Sequence, residues 1–289
     1  APGPKIGTLL EALCEAQDRL AAVGLETPHW DAELLLLHAL GRDRAWLLTH
    51  AGEPLGGEGD VSFRTLVAER ATRRPLQHIT GRQAFWRRDF EVSPAALIPR
   101  PETEILVEAV LDRVAGMAEP LIVDVGTGSG CIALSIACDR LDARVHATDI
   151  SAAALELARR NAARLGCVER VRFYEGDLLV PVAGLAGGID VIASNPPYVD
   201  RASAATLSAE VRDHEPAVAL FPKGAVTEIY RRLAEQAASH LRPGGWLIVE
   251  IGLGLSDPVQ GLCAAAGLEI ERVRPDLQGI PRTVVARRA

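Results

Sequence analysis

The chain is poor in aromatic residues and has no cysteine pairs of the kind that build disulfide frameworks or zinc sites. Of its 289 residues, aromatic side chains make up 4%, and the five cysteines include no C-x-x-C pair. We therefore expect neither a disulfide framework nor metal-binding residues, and a reducing, cytoplasmic compartment. Hydrophobic residues still make up 48% of the chain. Leu, Val, Ile and Ala must therefore fill most of the core.

An excess of basic residues and a long apolar run are also missing. The formal net charge is −7, and up to Pro75 the chain carries 8 Lys/Arg against 11 Asp/Glu. Proteins that bind by neutralising phosphates usually show a basic excess, so we expect no direct binding of nucleic acid. No apolar run approaches the roughly 20 residues that span a bilayer, and the N-terminal residues show no signal-peptide pattern. We therefore predict no membrane partner.

The first part of the chain has a helical pattern. The stretch GTLLEALCEAQDRLAAVGL places leucines near helical spacing and ends in a glycine. A second helix is predicted from Thr27, as N-cap, to Gly41, and a third from Asp60, as N-cap, to the residue before Pro75. These patterns predict a small helical domain over residues 1–75. It either contacts a partner or serves as a structural cap.

The pattern changes after this helical region. Residues 76–100 combine β-branched and aromatic residues around a glycine and predict a β-hairpin or linker. Over residues 101–289 short apolar runs alternate with helical patterns, which is typical of βαβ units in an α/β fold with a mostly parallel sheet. The last two predicted strands, LEIERVRPD and RTVVARR, have no helix between them. They predict an antiparallel hairpin at one edge of the sheet.

A glycine-rich loop joins the first predicted strand of this region to a helix. The stretch VDVGTGSGCIA has Gly126, Gly128 and Gly130 in the pattern G-x-G-x-G. Glycines at such a turn let the backbone approach a ligand closely. The dinucleotide fingerprint G-x-G-x-x-G would need its third glycine at Cys131. The pattern therefore favours a different nucleoside ligand over NAD, and no residues suited to hydride transfer accompany it.

Acidic residues follow the next two predicted strands. Asp149 lies 19 residues after Gly130 and ends the next strand, where a carboxylate can accept both hydroxyl groups of a ribose. Asp177 and its apolar neighbour Leu178 follow the third strand and could hold and cover an adenine. Either aspartate alone fits a helix cap or a turn better. Together with the glycine loop, they predict a nucleoside pocket at successive strand ends.

The tetrapeptide Asn195-Pro196-Pro197-Tyr198 follows the predicted strand Asp190–Ala193 and points into the same cleft. The Asn195 side-chain oxygen and the Pro196 carbonyl can each accept one N–H of a planar NH₂ group. The prolines fix φ near −65° and so hold both acceptors still, and Tyr198 can lie against a flat group. The alternative is a proline-rich turn that begins with Asn.

These residues resemble the class I S-adenosylmethionine-dependent methyltransferases over roughly residues 100 to 289. The resemblance implies a Rossmann-like, mostly parallel sheet with an antiparallel edge strand, and a glycine loop around the methionine end of the cofactor. The cofactor would be S-adenosylmethionine and the product S-adenosylhomocysteine. The residues it implies for cofactor binding are Gly126, Thr127, Gly128, Ser129, Gly130, Asp149, Asp177, Leu178 and Asn195.

Segments along nearly the whole chain resemble the protein N5-glutamine methyltransferases. They read RRPLQHITGRQAFW, LIPRPETEILVE, NPPYV, EVRDHEPAVALF and DLQGIPRTVVARR. The resemblance implies methyl transfer to the glutamine of the Gly-Gly-Gln motif of class 1 peptide-chain release factors, the proteins of translation termination. It also implies that the N-terminal helical domain docks the release factor, and we expect a monomer. The implied catalytic and substrate-binding residues are Asn195, Pro196, Pro197 and Tyr198.

The chain departs from that family at three places. Leu178 stands where the family often has Trp, the segment 222–227 replaces a glycine-rich turn, and Leu255 stands near a common Gln.

The alternative enzyme is a nucleic-acid methyltransferase acting on adenine or guanine amino groups. A non-catalytic cofactor-binding module is the alternative of another class. Arg100 and Glu102, in the stiff IPRPE loop, either close over the cofactor or form a salt-bridged loop.

Overall fold

The computed structural model describes residues 7–289, which divide into two compact units. The first unit contains the chain up to Gly81 together with Ser208–His214. The second contains Arg82–Leu207 and Glu215–Ala289. In chain order, the helices of the model are α1 (Leu9–Ala22), α2 (Pro28–Leu40), α3 (Arg44–His50), α4 (Gly57–Ala71), α5 (Leu76–Thr80), α6 (Glu104–Val114), α7 (Cys131–Asp139), α8 (Ala152–Arg164), α9 (Ala209–His214), α10 (Ala217–Leu220), α11 (Val226–His240) and α12 (Ser256–Ala265).

The first unit is a bundle of helices around a leucine-rich core. Leu20, Leu35, Leu36 and Phe63 are buried there almost completely. The short segment Ser208–His214 belongs to this unit because Glu210 pairs with two arginines at the end of α4. Glu210 Oε1 lies 3.4 Å from Arg70 Nη2 and 3.5 Å from Arg73 Nη2. Arg70 is buried and also donates to Asp31 Oδ2 at 2.7 Å.

Two of the helix starts differ from the sequence-based expectation. Asp60 was the expected N-cap of the third helix, but α4 already begins at Gly57, and Asp60 lies in its first turn, paired with Arg64 at 2.7 Å. That prediction was wrong because glycines at a helix start gave no periodic signal. Helix α3 was missed altogether. Asp43 caps it by accepting the backbone N–H of Trp46 at 2.8 Å.

Thr27 precedes α2 as expected, but its side chain does not cap the helix. Its hydroxyl instead donates to Asp31 Oδ1 at 3.0 Å. Thr8 makes a full capping box at the start of α1, since its side chain accepts from the backbone of Glu11 while Glu11 accepts from the backbone of Thr8. The sequence prediction did not include this cap.

The second unit begins with a β-hairpin, as the sequence predicted. Strand β1 (Arg82–Phe85) pairs antiparallel with β2 (Arg88–Glu91). The two turn residues, Trp86 and Arg87, have φ of 47° and 60° without being glycine. Asp139 stabilises this unfavourable turn, because it accepts from Trp86 Nε1 at 2.7 Å and from Arg87 Nη2 at 3.0 Å.

The second unit is built on a seven-stranded sheet. Its strands are β3 (Leu121–Val125), β4 (Arg144–Asp149), β5 (Val171–Glu175), β6 (Ile189–Ser194), β7 (Leu241–Glu250), β8 (Leu268–Pro275) and β9 (Pro281–Arg288). Their order is β5-β4-β3-β6-β7-β9-β8. The pairs from β5 to β7 are parallel, whereas β9 runs antiparallel to β7 and to β8. The predicted parallel sheet with an antiparallel edge hairpin is therefore confirmed.

Helices cover both faces of this sheet. On β3, Ile122 packs with α6 and α7, whereas its neighbours Leu121 and Val123 pack with α11 and α12 on the opposite face. Strands buried on both faces are continuously apolar, which is why the sequence showed apolar runs and no alternation. The carboxyl ends of the parallel strands all meet at one edge of the sheet, where open sheets of this kind bind ligands.

Candidate active site

A cleft opens at the carboxyl ends of β3, β4, β5 and β6. Most of the residues that the sequence predicted for a nucleoside and an amide line it: Gly126, Thr127, Gly128, Ser129, Asp149, Asp177, Leu178, Asn195, Pro196 and Pro197. Two predicted residues lie outside this lining. Gly130 packs at the start of α7, and the hydroxyl of Tyr198 contacts Glu250.

The glycine loop needs its glycines for two different reasons. Gly126 and Gly130 both have left-handed backbone, with φ of 72° and 83°. A Cβ on Gly126 would meet no protein atom within 4 Å, so this glycine serves the turn and leaves space at the cleft. A Cβ on Gly130 would lie 2.9 Å from Leu134 Cδ1 and 3.2 Å from Ala158 Cβ. Gly130 therefore allows close packing of the loop on the helices beneath it.

A buried carboxyl group holds the glycine loop from below. Asp124 Oδ2 accepts the hydroxyl of Thr127 at 2.6 Å and the backbone N–H of Ala133 at 3.2 Å. Burial raises the pKa of Asp124 to about 7, although both hydrogen bonds oppose that shift. Asp124 thus links the end of β3, the loop and the first turn of α7.

Asp149 lies at the end of β4 with both carboxylate oxygens engaged. Oδ2 accepts the backbone N–H of Gly128 at 2.8 Å, and Oδ1 accepts that of Ser151 at 2.9 Å. Burial raises the pKa of Asp149, and these backbone bonds act in the opposite direction. Each oxygen has capacity to accept a further hydrogen bond, and Asp149 lines the cleft. Asp149 can therefore stabilise the turn and still bind the hydroxyl groups of a ribose, the two roles that the sequence left open.

Asp177 is paired with a residue that the sequence analysis did not select. Its Oδ2 lies 2.5 Å from Nη2 of Arg232 on α11, which also lines the cleft. The following residue, Leu178, is buried with φ of 49°, an unfavourable conformation for a non-glycine residue. Its carbonyl accepts the hydroxyl of Thr148 at 2.9 Å, and the next N–H donates to Gln236 Oε1 at 3.0 Å. These bonds fix the loop around the cleft.

The residues at the cleft fit an adenosine-containing cofactor. The Asp149 carboxylate suits the two hydroxyl groups of a ribose, and the open space at Gly126 admits a ligand against the backbone. Ile150, whose side chain is 45% exposed beside Asp149, and Leu178 offer apolar surface for an adenine.

The amide of Asn195 is held by side chains from distant parts of the chain. Its Nδ2 donates to Thr103 Oγ1 at 3.2 Å, and Thr103 donates to Glu250 Oε2 at 2.6 Å. Tyr198 donates its hydroxyl to the other oxygen of Glu250 at 3.2 Å. Burial raises the pKa of Glu250 to about 7, and the two hydroxyl groups lower it. Asn195 itself is partly exposed at the cleft.

Arg100 forms a salt bridge within the second unit. Its guanidinium pairs with the buried carboxylate of Glu215, which also accepts the backbone N–H of Ile98 at 3.3 Å. Burial raises the pKa of Glu215, whereas Arg100 lowers it. The salt-bridged loop, one of the two alternatives for Arg100, is therefore present, and Arg100 also lines the cleft.

Sequence reasoning missed several residues at this site. Thr103 follows the second proline of the IPRPET stretch, and Glu250 is the only acidic residue of the apolar strand β7. A charged residue at the end of an apolar run was the available signal for Glu250. Arg232 gave no comparable signal, because an arginine on an amphipathic helix usually faces solvent.

Some classes of site are absent from the described chain. Residues 7–289 contain no cluster of His, Cys, Asp or Glu able to hold a metal ion. In the same range, no helix has the length and apolar character required to cross a bilayer. All five cysteines are free thiols.

The sheet order, the reversed edge strand and the glycine-loop cleft together define the methyltransferase fold. A model of the methyltransferase small domain matches residues 101–255, and a model of the PrmC N-terminal domain matches residues 11–81. Among solved structures, a methyltransferase from Pyrococcus furiosus superposes with a TM-score of 0.52 at 20% identity, covering 70% of this chain and 89% of that one. That likeness concerns the fold alone.

Similarity over the full length gives the particular family. A release factor glutamine methyltransferase of Koribacter versatilis is 43% identical over 97% of this chain and 99% of its own length. One of Moorella thermoacetica is 45% identical with the same coverage of both chains. The chain belongs to the family of release factor glutamine methyltransferases.

Proposed function

We propose that this chain transfers a methyl group from S-adenosylmethionine to the side-chain amide nitrogen, N5, of the glutamine in the Gly-Gly-Gln motif of class 1 release factors. Full-length similarity to enzymes named for this reaction supports the proposal. The observation that carries it is the position of Asn195 at the end of the cleft, with its NH₂ group turned onto Thr103. The products are the N5-methylated glutamine and S-adenosylhomocysteine.

The cofactor would occupy the cleft at the carboxyl ends of β3 to β5. When bound, S-adenosylmethionine supplies a methyl group on an electrophilic sulfonium sulfur. Asp149 would hold the ribose and Leu178 would cover the adenine, while the loop from Gly126 to Gly130 would follow the methionine end. Thr127 and Ser129 belong to this loop, and Thr127 keeps it in place through Asp124.

The glutamine amide would be held by two oxygen acceptors. Asn195 Oδ1 and the Pro196 carbonyl would each accept one N–H of the substrate NH₂ group. Pro196 and Pro197 restrict the backbone on both sides of the second acceptor, so the pair is organised before substrate arrives. Tyr198 would support this segment from below through Glu250, because the structure places its hydroxyl there.

The transfer is a displacement at the methyl carbon. The amide nitrogen contributes its lone pair to the new N–C bond, and the electron pair of the C–S bond goes to the sulfur. The nitrogen would then carry the methyl group, a positive charge and both of its original protons. One of these protons, now acidic, would leave to solvent and give the neutral N5-methylated amide. Aligning the NH₂ group is the main contribution of the chain, since positioning supplies much of the rate in such reactions.

The N-terminal and C-terminal parts of the chain would have different functions. We propose that the N-terminal helical domain, residues 1–75, docks the release factor, and that residues 101–289 bind the cofactor and the glutamine after the hairpin and linker of residues 76–100. The acidic balance of the chain, with a net charge of −7, supports a protein partner without direct contact to nucleic acid. We further propose a cytoplasmic monomer.

The test is a methylation assay with defined acceptors. The purified chain and S-adenosylmethionine are incubated with a class 1 release factor, with the same factor carrying Gln→Ala in its Gly-Gly-Gln motif, and with unmodified transfer RNA and DNA. Mass analysis of the peptide should find one added methyl group on the glutamine of the intact factor only. Methyl groups on nucleic acid and none on the factor would refute the proposal and favour amino-group methylation of bases.

A further inference from the structure

We propose that Thr103 is a positioning residue that fixes which end of the Asn195 amide faces the substrate, with Glu250 setting the direction of its hydroxyl. The inference rests on the proposed function, because it concerns the orientation of an acceptor for the substrate NH₂ group. Thr103 and Glu250 lie outside the glycine loop and the NPPY tetrapeptide. They are 147 residues apart in sequence and 2.6 Å apart at their oxygens.

The argument starts from the single proton of the Thr103 hydroxyl. Its distance of 2.6 Å to Glu250 Oε2 is typical of a hydroxyl that donates to a carboxylate. An ionised carboxylate can only accept, so the Thr103 proton points at Glu250. The hydroxyl therefore offers only lone pairs to other neighbours. Thr103 and Glu250 are 2% and 1% exposed, so water does not compete for these bonds.

The consequence for Asn195 is a fixed amide orientation. A neighbour that can only accept must face the NH₂ end of a carboxamide, and Asn195 Nδ2 lies 3.2 Å from Thr103 Oγ1. The opposite end, Oδ1, then points away from Thr103. No hydrogen bond within residues 7–289 engages Oδ1. The acceptor for the substrate is thereby free, whereas the flipped amide would present two N–H donors to the substrate NH₂ group.

Glu250 stabilises both sides of the tetrapeptide. Its second oxygen accepts the hydroxyl of Tyr198 at 3.2 Å, and its backbone carbonyl accepts the hydroxyl of Tyr230 at 2.9 Å. One carboxylate on β7 thus binds Tyr198 directly and Asn195 through Thr103. Because Glu250 accepts the proton of Thr103, Thr103 in turn accepts from Asn195, so Glu250 sets the donor and acceptor roles of both hydrogen bonds.

The test compares variants that differ only in the hydroxyl group. Thr103→Val removes the acceptor at nearly constant volume, and Thr103→Ser restores it. Thr283→Val is the matched control, since Thr283 is also buried, lies opposite Glu250 on β9, and has a hydroxyl without a hydrogen-bond partner among the described residues. We expect Thr103→Val to lower kcat on the order of 10-fold to 100-fold, while Thr103→Ser and Thr283→Val stay near wild type.

Two further readouts separate positioning from a general structural effect. Binding of S-adenosylhomocysteine, measured by calorimetry, should be unchanged in Thr103→Val. In an Asn195→Ala background, Thr103→Val should cause no additional loss of activity, because Thr103 acts only through Asn195. A full additional loss in that background, or a Thr103→Val enzyme with wild-type kcat, would overturn the inference.

A crystal structure of the Thr103→Val protein tests the inference without any assay. We expect Asn195 to leave its wild-type orientation, while Thr283→Val keeps it. An unchanged Asn195 in Thr103→Val would contradict the inference even if glutamine methylation is established. Conversely, a wild-type protein that fails to methylate glutamine would refute the proposed function, yet the orientation of Asn195 in the two crystals would still decide this proposal.

Discussion

The two ends of the cleft are organised by different kinds of contact. At the glycine loop, the supporting side chains are close in sequence, since Thr127 contacts Asp124 three residues before it and Asp149 contacts Gly128 over 21 residues. At the tetrapeptide, Asn195 is held by Thr103 over 92 residues, which in turn is held by Glu250 over 147 residues. Contacts that are closer in sequence therefore define the glycine loop, whereas contacts between distant parts of the chain define the position of Asn195 and also hold the Asp177 loop.

This difference has a functional consequence. A loop that is stabilised locally keeps its shape whenever its strand and helix form. The Asn195 amide is in place only when β6, β7 and the turn before α6 pack together, because each contributes one group to the chain of bonds. Substitutions near the glycine loop should therefore affect mainly cofactor binding, whereas substitutions at Asn195 should affect mainly the rate of methyl transfer.

The largest effect is expected at the substrate end. Asn195→Ala removes the acceptor for one N–H of the glutamine amide, so kcat should fall on the order of 100-fold to 1,000-fold. The glycine loop does not depend on Asn195, and the dissociation constant of S-adenosylhomocysteine should change little. Single-turnover methylation of a release factor, with calorimetry of the same preparation, checks both. A variant with undiminished turnover would remove Asn195 from the proposed chemistry.

The reciprocal change is at the cofactor end. Asp149→Asn removes the charge that would hold the ribose hydroxyls, and we expect binding of S-adenosylhomocysteine to weaken roughly 10-fold to 100-fold. At saturating S-adenosylmethionine, kcat should remain within a few-fold of wild type, because the Asn195 bonds are untouched. If Asp149→Asn instead lowers kcat and leaves cofactor binding intact, the two ends are not separable as described.

The dependence of kcat on pH should follow the protonation of Glu250, which supports Asn195 through Thr103. The pKa of Glu250 is raised to about 7, so its carboxylate is present above that pH and is protonated as the pH falls through it. A protonated Glu250 can no longer accept from both Thr103 and Tyr198, and kcat should fall several-fold from pH 8 to pH 6. Glu250→Gln should reduce this dependence, whereas Asp124, whose pKa is also raised to about 7, still titrates in the variant. Besides burial, the groups that influence the pKa of Glu250 are Thr103, Tyr198 and Arg282, which lower it, and Glu102, which raises it.

Stability should change with pH in the opposite direction. A carboxyl group whose pKa is raised by folding stabilises the folded state at low pH, and this contribution is lost as the pH rises from about 4.5 to about 7. The difference in unfolding free energy between wild type and Glu250→Gln, measured by urea denaturation across this range, should follow that sign. A difference that grows in favour of wild type with rising pH would contradict it.

The smallest effect is expected at the salt bridge of Arg100, which lies beside the cleft. Arg100→Met leaves the Glu215 carboxylate, whose side chain is 1% exposed, without its cation. We expect a loss of about 1–3 kcal/mol in unfolding free energy at pH 8, and less at pH 5, where Glu215 can take up a proton. The control Arg231→Met breaks exposed pairs on α11 and should leave stability nearly unchanged. Equal losses in both variants would exclude a special role for the Glu215 pair.

The contrast between the two ends also explains how much could be predicted from sequence. The alternation of strands with the longer helices in residues 101–289 and the antiparallel edge hairpin are predicted from the sequence and are confirmed, whereas the short helices α9 and α10 are not predicted. Helix α3 could not be predicted, because a helix of seven residues is too short to show an apolar periodicity. The sequence predicts Asp60 as the N-cap of α4, whereas the helix starts three residues earlier.

Functional residues that belong to a local sequence pattern could also be predicted, whereas those joined only by the fold could not. Gly126, Asp149 and Asn195 stand at strand ends in recognisable patterns, and the structure places all three at the cleft. Thr103 and Glu250 form no sequence motif with Asn195, because their relation exists only once the strands of the sheet are paired. Arg232 meets Asp177 across 55 residues for the same reason.

The central claim is best tested by a crystal structure of the protein with S-adenosylhomocysteine and a Gly-Gly-Gln peptide. We expect Asn195 Oδ1 and the Pro196 carbonyl oxygen each to lie about 3 Å from the glutamine amide nitrogen, with Asn195 Nδ2 on Thr103. A glutamine amide bound elsewhere in the cleft, or an Asn195 that turns its NH₂ group toward the peptide, would contradict the account.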